Sequence, residues 1–391
     1  VVAGVLSGTS ADGIDVVLAR PEYGSGSHGS SILTGVEPLA FATEAFEPGL
    51  AQRVREILDG AATSLGDLAA LDRDLGLAFG SAARDVADRH DVGDLALVAS
   101  HGQTVFHHDG DPQRGRVTLQ IGDGDFVSEA CGTAVVSDFR TRDCAAGGQG
   151  APLVGLVDDV LFAAAPRPLA ILNVGGMSNW TVLLGAEPRA FDAGPAGSLL
   201  DGLSRRLLRA PCDLGGAAAL SGTASPAQVA EWLQHPFFEV EGPRSTGRDT
   251  FGEIYVDELL ASMGPAAISA DVLATACAFV AEAAARALVG SFSSAPLPGS
   301  LHVAVAGGGL HNAALMGELD RALRTQLGER GVELASMGSS AAFGVPPDGR
   351  EALAFAALGA RFIVGEPSSS TVATGALGGR VLGKWTPGPI E

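Results

Sequence analysis

Two stretches of this chain share one design: a short apolar run, a loop of glycine and small polar residues, and a second apolar run. Residues 1–6 and 14–18 flank the first loop, and residues 169–174 and 181–184 flank the second. Apolar runs this short, joined by Gly, Ser, Asp and Asn, read as adjacent antiparallel strands rather than helices. Gly8-Thr9-Ser10 in the first loop aligns with Gly176-Met177-Ser178 in the second. Either one phosphate-cradling hairpin occurs twice, once per domain around a shared cleft, or two unrelated hairpins look alike. At 391 residues the chain is too long for one compact core, so two domains are expected.

Between the loops, strands alternate with helices. A third strand is expected within 32–41, helices over 51–58 and, with interruptions, 68–90, and short buried strands at 95–98, 117–121 and 134–137 around a helix at 125–130. The second half is expected to hold helices over 198–208, 226–234, 270–289, 312–327 and 348–362 and a strand over 301–306. Ser225-Pro226 is a helix start with proline in the first turn. Alternation of this kind means α/β.

Composition removes several classes of function. Lys+Arg 25 against Asp+Glu 45 gives a formal net charge of -20, which repels phosphate backbones and anionic lipid, so neither nucleic acid nor membrane is an expected partner. Lys384 is the only lysine, and a tail residue cannot build a P-loop or a protein-kinase strand lysine. Any phosphate must therefore be met by backbone amides, arginines or a metal. Cys131, Cys144, Cys212 and Cys277 form no C-x-x-C pair, and scattered thiols suit a reducing cytoplasm. The apolar stretch 268–292 is interrupted by Asp271, Glu282 and Arg286, which argues against a membrane span, and no basic segment precedes an apolar one at the start.

The loops carry the candidate chemistry. In SGTSADGID, Gly8 and Gly13 allow close backbone approach, the Thr9 and Ser10 hydroxyls and nearby amides can cradle phosphate, and Asp12 and Asp15 can hold magnesium. Gly175 and Gly176 in NVGGMSN offer a similar cradle. In AGGGLHN, Gly307, Gly308 and Gly309 between a strand and a helix let a flat ligand lie on the backbone. Asp192 in FDAGP is expected at a strand end, as a general base or as a helix cap, with Asp201 inside the next helix. Arg140 and Arg142 adjoin a glycine-rich hinge, which suits a carboxylate or phosphate ligand or a structural salt bridge. His101 and Gln103 in SHGQT are set to meet sugar hydroxyls, or His101 is a structural histidine. His107-His108 with Asp109 and Asp111 reads as a solvated turn rather than a metal site. Glu351 opens a helix as a first-turn acid or a substrate ligand.

Taken in order, SGTSADGID, SHGQT, LQIGD, DFRTRDCAAGGQGAPL, NVGGMSN, FDAGP, STGRDTFG, AGGGLHN and the helix start after Pro346 resemble the motifs of the anhydro-N-acetylmuramic acid kinase family over nearly the whole chain. The resemblance implies the superfamily of hexokinases, actin and heat-shock chaperone ATPases: two ribonuclease-H-like domains with a nucleotide cleft between them. It implies residues 1–137 plus 360–391 as one domain and 138–359 as the other, closing on ligand about hinges near Ser137, Asp138 and Gly359. ATP with magnesium would be bound by Gly8, Thr9, Ser10, Ala11, Asp12, Gly13, Ile14, Asp15, Gly175, Gly176, Gly307, Gly308, Gly309 and Asn312, with Asp12 on the metal. Asp192 matches the family's base, and His101, Gln103, Arg140 and Glu351 are the candidate sugar ligands. The implied reaction opens the ring of 1,6-anhydro-N-acetylmuramic acid and phosphorylates its 6-oxygen; a cytoplasmic enzyme, and a homodimer, are also implied. The alternatives are a kinase for another anhydrosugar or hexose, such as levoglucosan, and a non-catalytic actin-like ATP-binding protein. The chain departs from the family pattern at Ala11, where leucine is usual, and at Ala193, Ala196 and Gly197, where the base loop usually has threonine, glycine and asparagine.

Overall fold

The computed structural model describes residues 1–8, 13–26, 30–111, 115–185, 188–239, 246–247, 250–264, 267–292, 297–369, 371 and 374–390. They form two compact units, Val1–Ala163 with Gly344–Glu391, and Ala164–Phe343.

In the first unit β1 (Val2–Ser7), β2 (Ile14–Ser25) and β3 (Ser31–Glu44) make an antiparallel meander. Helices α1 (Pro48–Leu58) and α2 (Leu65–Arg89) lead to β4 (Leu97–Asp111), which is parallel to β1 and turns back into β5 (Gly115–Ile121). Then come α3 (Gly124–Cys131), β6 (Val135–Ser137), parallel to β4, and the short helices α4 (Thr141–Ala145) and α5 (Asp158–Leu161). β1 is buried along its whole length, as a central strand covered on both faces must be. Side chains visible in the sequence set the helix starts: Glu47 accepts amides at α1, Ser64 at α2 and Asp123 at α3. α2 runs unbroken where its glycines suggested interruptions. Gly76 and Gly80, one turn apart, lie against α3: a Cβ on Gly76 would come 2.7 Å from the Asp123 carbonyl oxygen, and one on Gly80 would strike that of Val127. The glycines serve helix packing, not helix ending.

The second unit repeats the plan. β7 (Leu169–Val174), β8 (Met177–Leu183) and β9 (Arg189–Pro195) form an antiparallel meander, followed by α6 (Gly197–Leu207), α7 (Ala217–Ser221), α8 (Pro226–Trp232), α9 (Glu253–Ser262) and α10 (Ser269–Gly290). β10 (Ser300–Ala306), parallel to β7, α11 (Ala313–Gly328) and β11 (Glu333–Ser339), parallel to β10, complete it. The strand order β9-β8-β7-β10-β11 matches β3-β2-β1-β4-β6 of the first unit in sequence of pairing and in direction. The short loop likeness thus marks a duplicated α/β unit. α10 is long and apolar enough to cross a membrane by composition, but it is the buried centre of this unit's core. A helix apolar on nearly every side requires such surroundings, and its Arg286, paired with Glu282, stays exposed. Trp180, fully buried, satisfies its indole N–H on the Ala284 carbonyl of α10 at 2.8 Å.

The chain then returns to the first unit as α12 (Arg350–Ile363) and β12 (Lys384–Thr386), which pairs antiparallel with β6. α12 lies so close to β1 that any side chain at Gly4 would strike the Ala352 carbonyl. The units divide the chain differently from the expected domains, since 138–163 and 344–359 belong to the first unit. The reason is physical. Arg350 pairs with Asp158, both buried, with Nε 3.1 Å from Oδ1. Arg361 donates to the Leu156 carbonyl at 2.8 Å. Gly359, expected at a hinge, is inside α12 against Ala99, and Ser137 ends β6, so neither is at a junction of units.

Candidate active site

The candidate residues fall into two groups, one in each unit. In the first, β1 and β2 present the loop after Ser7. Thr9, Ser10, Ala11 and Asp12 lie outside the described residues. At its edges, Gly13 packs where a Cβ would sit 2.7 Å from the Thr43 methyl, Ile14 turns its side chain into the core, and Asp15 accepts a hydrogen bond from the Thr43 hydroxyl at 2.6 Å. Gln103, fully buried, donates to the Gly8 carbonyl at 3.3 Å and to that of Thr104 at 3.2 Å, and its Oε1 has no partner. This amide ties β4 to the start of the loop.

Two residues earlier on β4, His101 meets Arg140, on whose charge Glu351 acts. Arg140 donates from Nε to His101 Nε2 at 2.9 Å and from Nη1 to the Gly150 carbonyl at 2.7 Å. His101 is 6% exposed, its Nδ1 lies 3.0 Å from the Gly102 carbonyl, and its ring packs at a tilt against Phe355 with ring centroids 4.5 Å apart. Burial first, then the charge of Arg140, push its pKa well below the ordinary histidine value. Burial also lowers the guanidinium pKa, opposed most strongly by the charge of Glu351. The glycine-rich stretch beside Arg140 is not a free hinge. Asp143, fully buried, accepts from the Gly150 amide and the Thr374 hydroxyl, each at 2.8 Å, and fixes the carbonyl that Arg140 uses. The DFRTRDCAAGGQGAPL motif sets this acid beside Arg140 and Arg142, but its bond to Thr374, far along the chain, had no local signal. His107 and His108 are also placed differently, in the β4–β5 hairpin rather than in a turn, with His107 opposite Thr118.

In the second unit the tight turn at Gly175-Gly176 rests on the start of α6. Gly197 N–H donates to the Gly175 carbonyl at 2.9 Å, and the Ser198 amide and hydroxyl donate to that of Gly176 at 3.0 and 2.8 Å. Asp192 lies within β9, opposite Asn179, rather than at the strand end, because β9 stays paired with β8 as far as Pro195. It does not cap α6, whose N-cap is Ala196. Asp192 Oδ2 accepts the amide of Thr246 at 2.8 Å, and the Thr246 hydroxyl is buried without a partner. That amide belongs to STGRDTFG, 54 residues on, and only the motif's order in the chain hinted at it. Asp201 is in α6, its pKa raised by burial. Gly307, at φ +85°, lies against Asn173 and Val174, whereas Gly308 has open space above it. Asn312 caps α11, accepting from Leu315 N–H at 3.0 Å.

The first unit thus brings a buried glutamine to the Gly8 carbonyl and a fixed guanidinium near Glu351, and the second holds Asp192 against the Thr246 amide. The profile of anhydro-N-acetylmuramic acid kinases matches residues 1–388. The chain belongs to the anhydro-N-acetylmuramic acid kinase family. Relatives bearing that name include one from Streptomyces coelicolor, 38% identical over 99% of this chain and 94% of its own. Others come from Salinibacter ruber, 38% identical over 99% and 96%, and Gloeobacter violaceus, 35% identical over 95% of each. A solved ROK family glucokinase from Streptomyces griseus, in complex with glucose and AMPPNP, aligns over 91% of this chain and 97% of its own at 15% identity. Its TM-score of 0.37 is too low to bear on fold or function. Membership of the kinase family makes this chain an ATP-using sugar kinase.

Within the anhydro-N-acetylmuramic acid kinase pattern, the departures now have places. Ala193 and Ala196 are fully buried in the second unit's core, so neither side chain is exposed to a ligand. Gly197 sits where a Cβ would come 2.9 Å from the Gly175 carbonyl oxygen. Its lack of a side chain lets the turn seat directly on α6.

Proposed function

We propose that this chain hydrolyses the anhydro bridge of 1,6-anhydro-N-acetylmuramic acid while phosphorylating its 6-oxygen from ATP, giving N-acetylmuramic acid 6-phosphate. The observation that carries the reading is Asp192, a carboxylate in β9 that accepts the Thr246 amide and does not cap the following helix. Asp192 takes a proton from water as the water oxygen bonds to the anomeric carbon; the bond from that carbon to the 6-oxygen breaks, and the 6-oxygen receives the γ-phosphoryl group. ADP leaves and Asp192 returns its proton to solvent. The attack resembles that of an inverting glycosidase, with phosphoryl transfer in place of an acid's proton.

The glycine turns suit a nucleotide, since Gly308 leaves its backbone uncovered and the Gly175-Gly176 turn is open where side chains would stand. Magnesium, at Asp12 in this reading, would supply charge neutralisation at the phosphates. Arg140 and Glu351 are assigned to the sugar, Arg140 to its lactyl carboxylate. Four free cysteines support a cytoplasmic setting, and the family likeness supports a homodimer. The test is ADP release with magnesium-ATP and anhydro-N-acetylmuramic acid, levoglucosan, glucose or no sugar. Release with the first sugar alone, and a product heavier by phosphate plus water, is expected. Asp192→Asn should abolish turnover and leave ATP binding by calorimetry intact. Strong residual turnover would remove Asp192 from the base role, and release with levoglucosan alone would move the substrate to another anhydrosugar.

A further inference from the structure

We propose that His101 is not a sugar ligand but the positioning residue that aims Arg140, and so sets the preference of this site for a sugar bearing a carboxylate. The proposal rests on the assignment of Arg140 to the substrate made above.

Both ring nitrogens of His101 are committed. An arginine Nε–H is always a donor, so His101 Nε2, 2.9 Å away, must accept. The ring proton then sits on Nδ1 and goes to the Gly102 carbonyl at 3.0 Å. No hydrogen-bonding position remains for a sugar hydroxyl on a ring only 6% exposed. The Gly102 carbonyl is itself fixed by glycine geometry, with φ +77° and a would-be Cβ 2.6 Å from the Ile121 carbonyl oxygen. The Ser-His-Gly order is thus a mounting for the imidazole. On its other side the ring packs at a tilt of 37° against Phe355, which also packs on Phe139, the residue before Arg140, at 5.4 Å. Phe355 and Glu351 are one turn apart on α12, so one helix face holds the imidazole and sets a negative charge near the guanidinium.

The guanidinium has five N–H donors. His101 takes Nε–H and Gly150 takes one from Nη1, which leaves the Nη2 amino group and one Nη1 proton. Those are the donors that grip a carboxylate in bidentate fashion, and they do so only if the guanidinium plane is held. A neutral acceptor at Nε fixes the plane without cancelling the charge; an acid there would pair with the arginine and compete with the ligand.

The test uses the full chain with four variants: His101→Phe, which keeps the ring contact and loses the acceptor; His101→Gln, whose Oε1 reaches the place of Nε2; His101→Asn, whose acceptor falls short; and Arg140→Ala. Calorimetry compares binding of anhydro-N-acetylmuramic acid with that of its lactyl carboxamide, and kcat and the KM for ATP are measured alongside. His101→Phe should weaken the acid by about tenfold, as expected for a misaligned charge-assisted pair, with the carboxamide, kcat and the KM for ATP nearly unchanged. His101→Gln should restore most of the preference for the acid. If His101→Phe does not fold, the contrast of His101→Asn with His101→Gln carries the same information. Equal weakening of acid and carboxamide, or no rescue by glutamine, overturns the proposal while leaving Arg140 as a ligand. An unchanged preference in Arg140→Ala overturns the assignment of Arg140 and the proposal with it.

Discussion

Gly194, two residues beyond Asp192, holds φ at +142°, and a Cβ there would come 3.0 Å from a ring carbon of Phe238. Gly194→Ala should therefore shift the carboxylate and lower kcat by tenfold or more, roughly the effect of a misplaced reacting group, with ATP binding unchanged. A kcat equal to that of the parent would show that the turn does not position the base. The flanking Ala193 and Ala196 obey another constraint, burial, which leaves no room for a larger side chain without repacking. His101 gives a second prediction at this scale. Its folded pKa is depressed, so its contribution to stability is present above the ordinary imidazole value and is lost as pH falls below it, where the unfolded chain binds the proton and the fold does not. Between about pH 7 and about pH 5, thermal stability should fall less steeply in His101→Gln than in the parent; equal slopes would refute this. Asp192 was legible because its FDAGP context is compact in sequence. The part played by His101 was not, because its partner lies 39 residues away. Asn312 was legible in principle as a cap, since it stands directly before a helical run.

Among the elements, α12 carries the most. Arg350 pairs with Asp158, Glu351 acts on Arg140, Phe355 packs on His101, and Arg361 reaches the Leu156 carbonyl and Asp159. Breaking the buried pair leaves an uncompensated charge, so Asp158→Ala should lower stability by about 3–5 kcal/mol, whereas replacing both partners with leucine and methionine should recover much of that loss. Urea unfolding of the single and double variants decides it; equal losses in both would mean that the ion pair itself, and not a stranded charge, carries the stability. Strands with continuous apolar runs, such as β1, β7 and β10, were legible. β11 and β12 escaped because their sequences, ELASMGS and KWT, show neither a run nor clean alternation. β4 was cut short in the sequence reading because His107-His108-Asp109 looks like a turn. Cross-strand pairing with β5, which no local pattern reveals, carries the strand through it.

Across the whole molecule, two small loops announced a duplication that the strand orders display in full, but loops say nothing about which strand neighbours which. The limits of the units were hidden for a similar reason, since the ties from α12 to Asp158 and Leu156 span 192 and 205 residues. The units also differ in how they are cut from the chain. Ala164–Phe343 is continuous and contains every strand of its own sheet, so this segment alone should unfold cooperatively by heat or urea. The segment Val1–Ala163 alone should not, because α12 and β12 are missing from it; a sharp transition in that fragment would show that they are dispensable. The same asymmetry bears on synthesis. As the polypeptide leaves the ribosome, the continuous unit can reach its final form while the segment Val1–Ala163, made before it, waits with the bare groove at Gly4 for a helix not yet translated. A stop codon just before α12 would leave Ala164–Phe343 whole, yet strand the other unit without the helix it waits for.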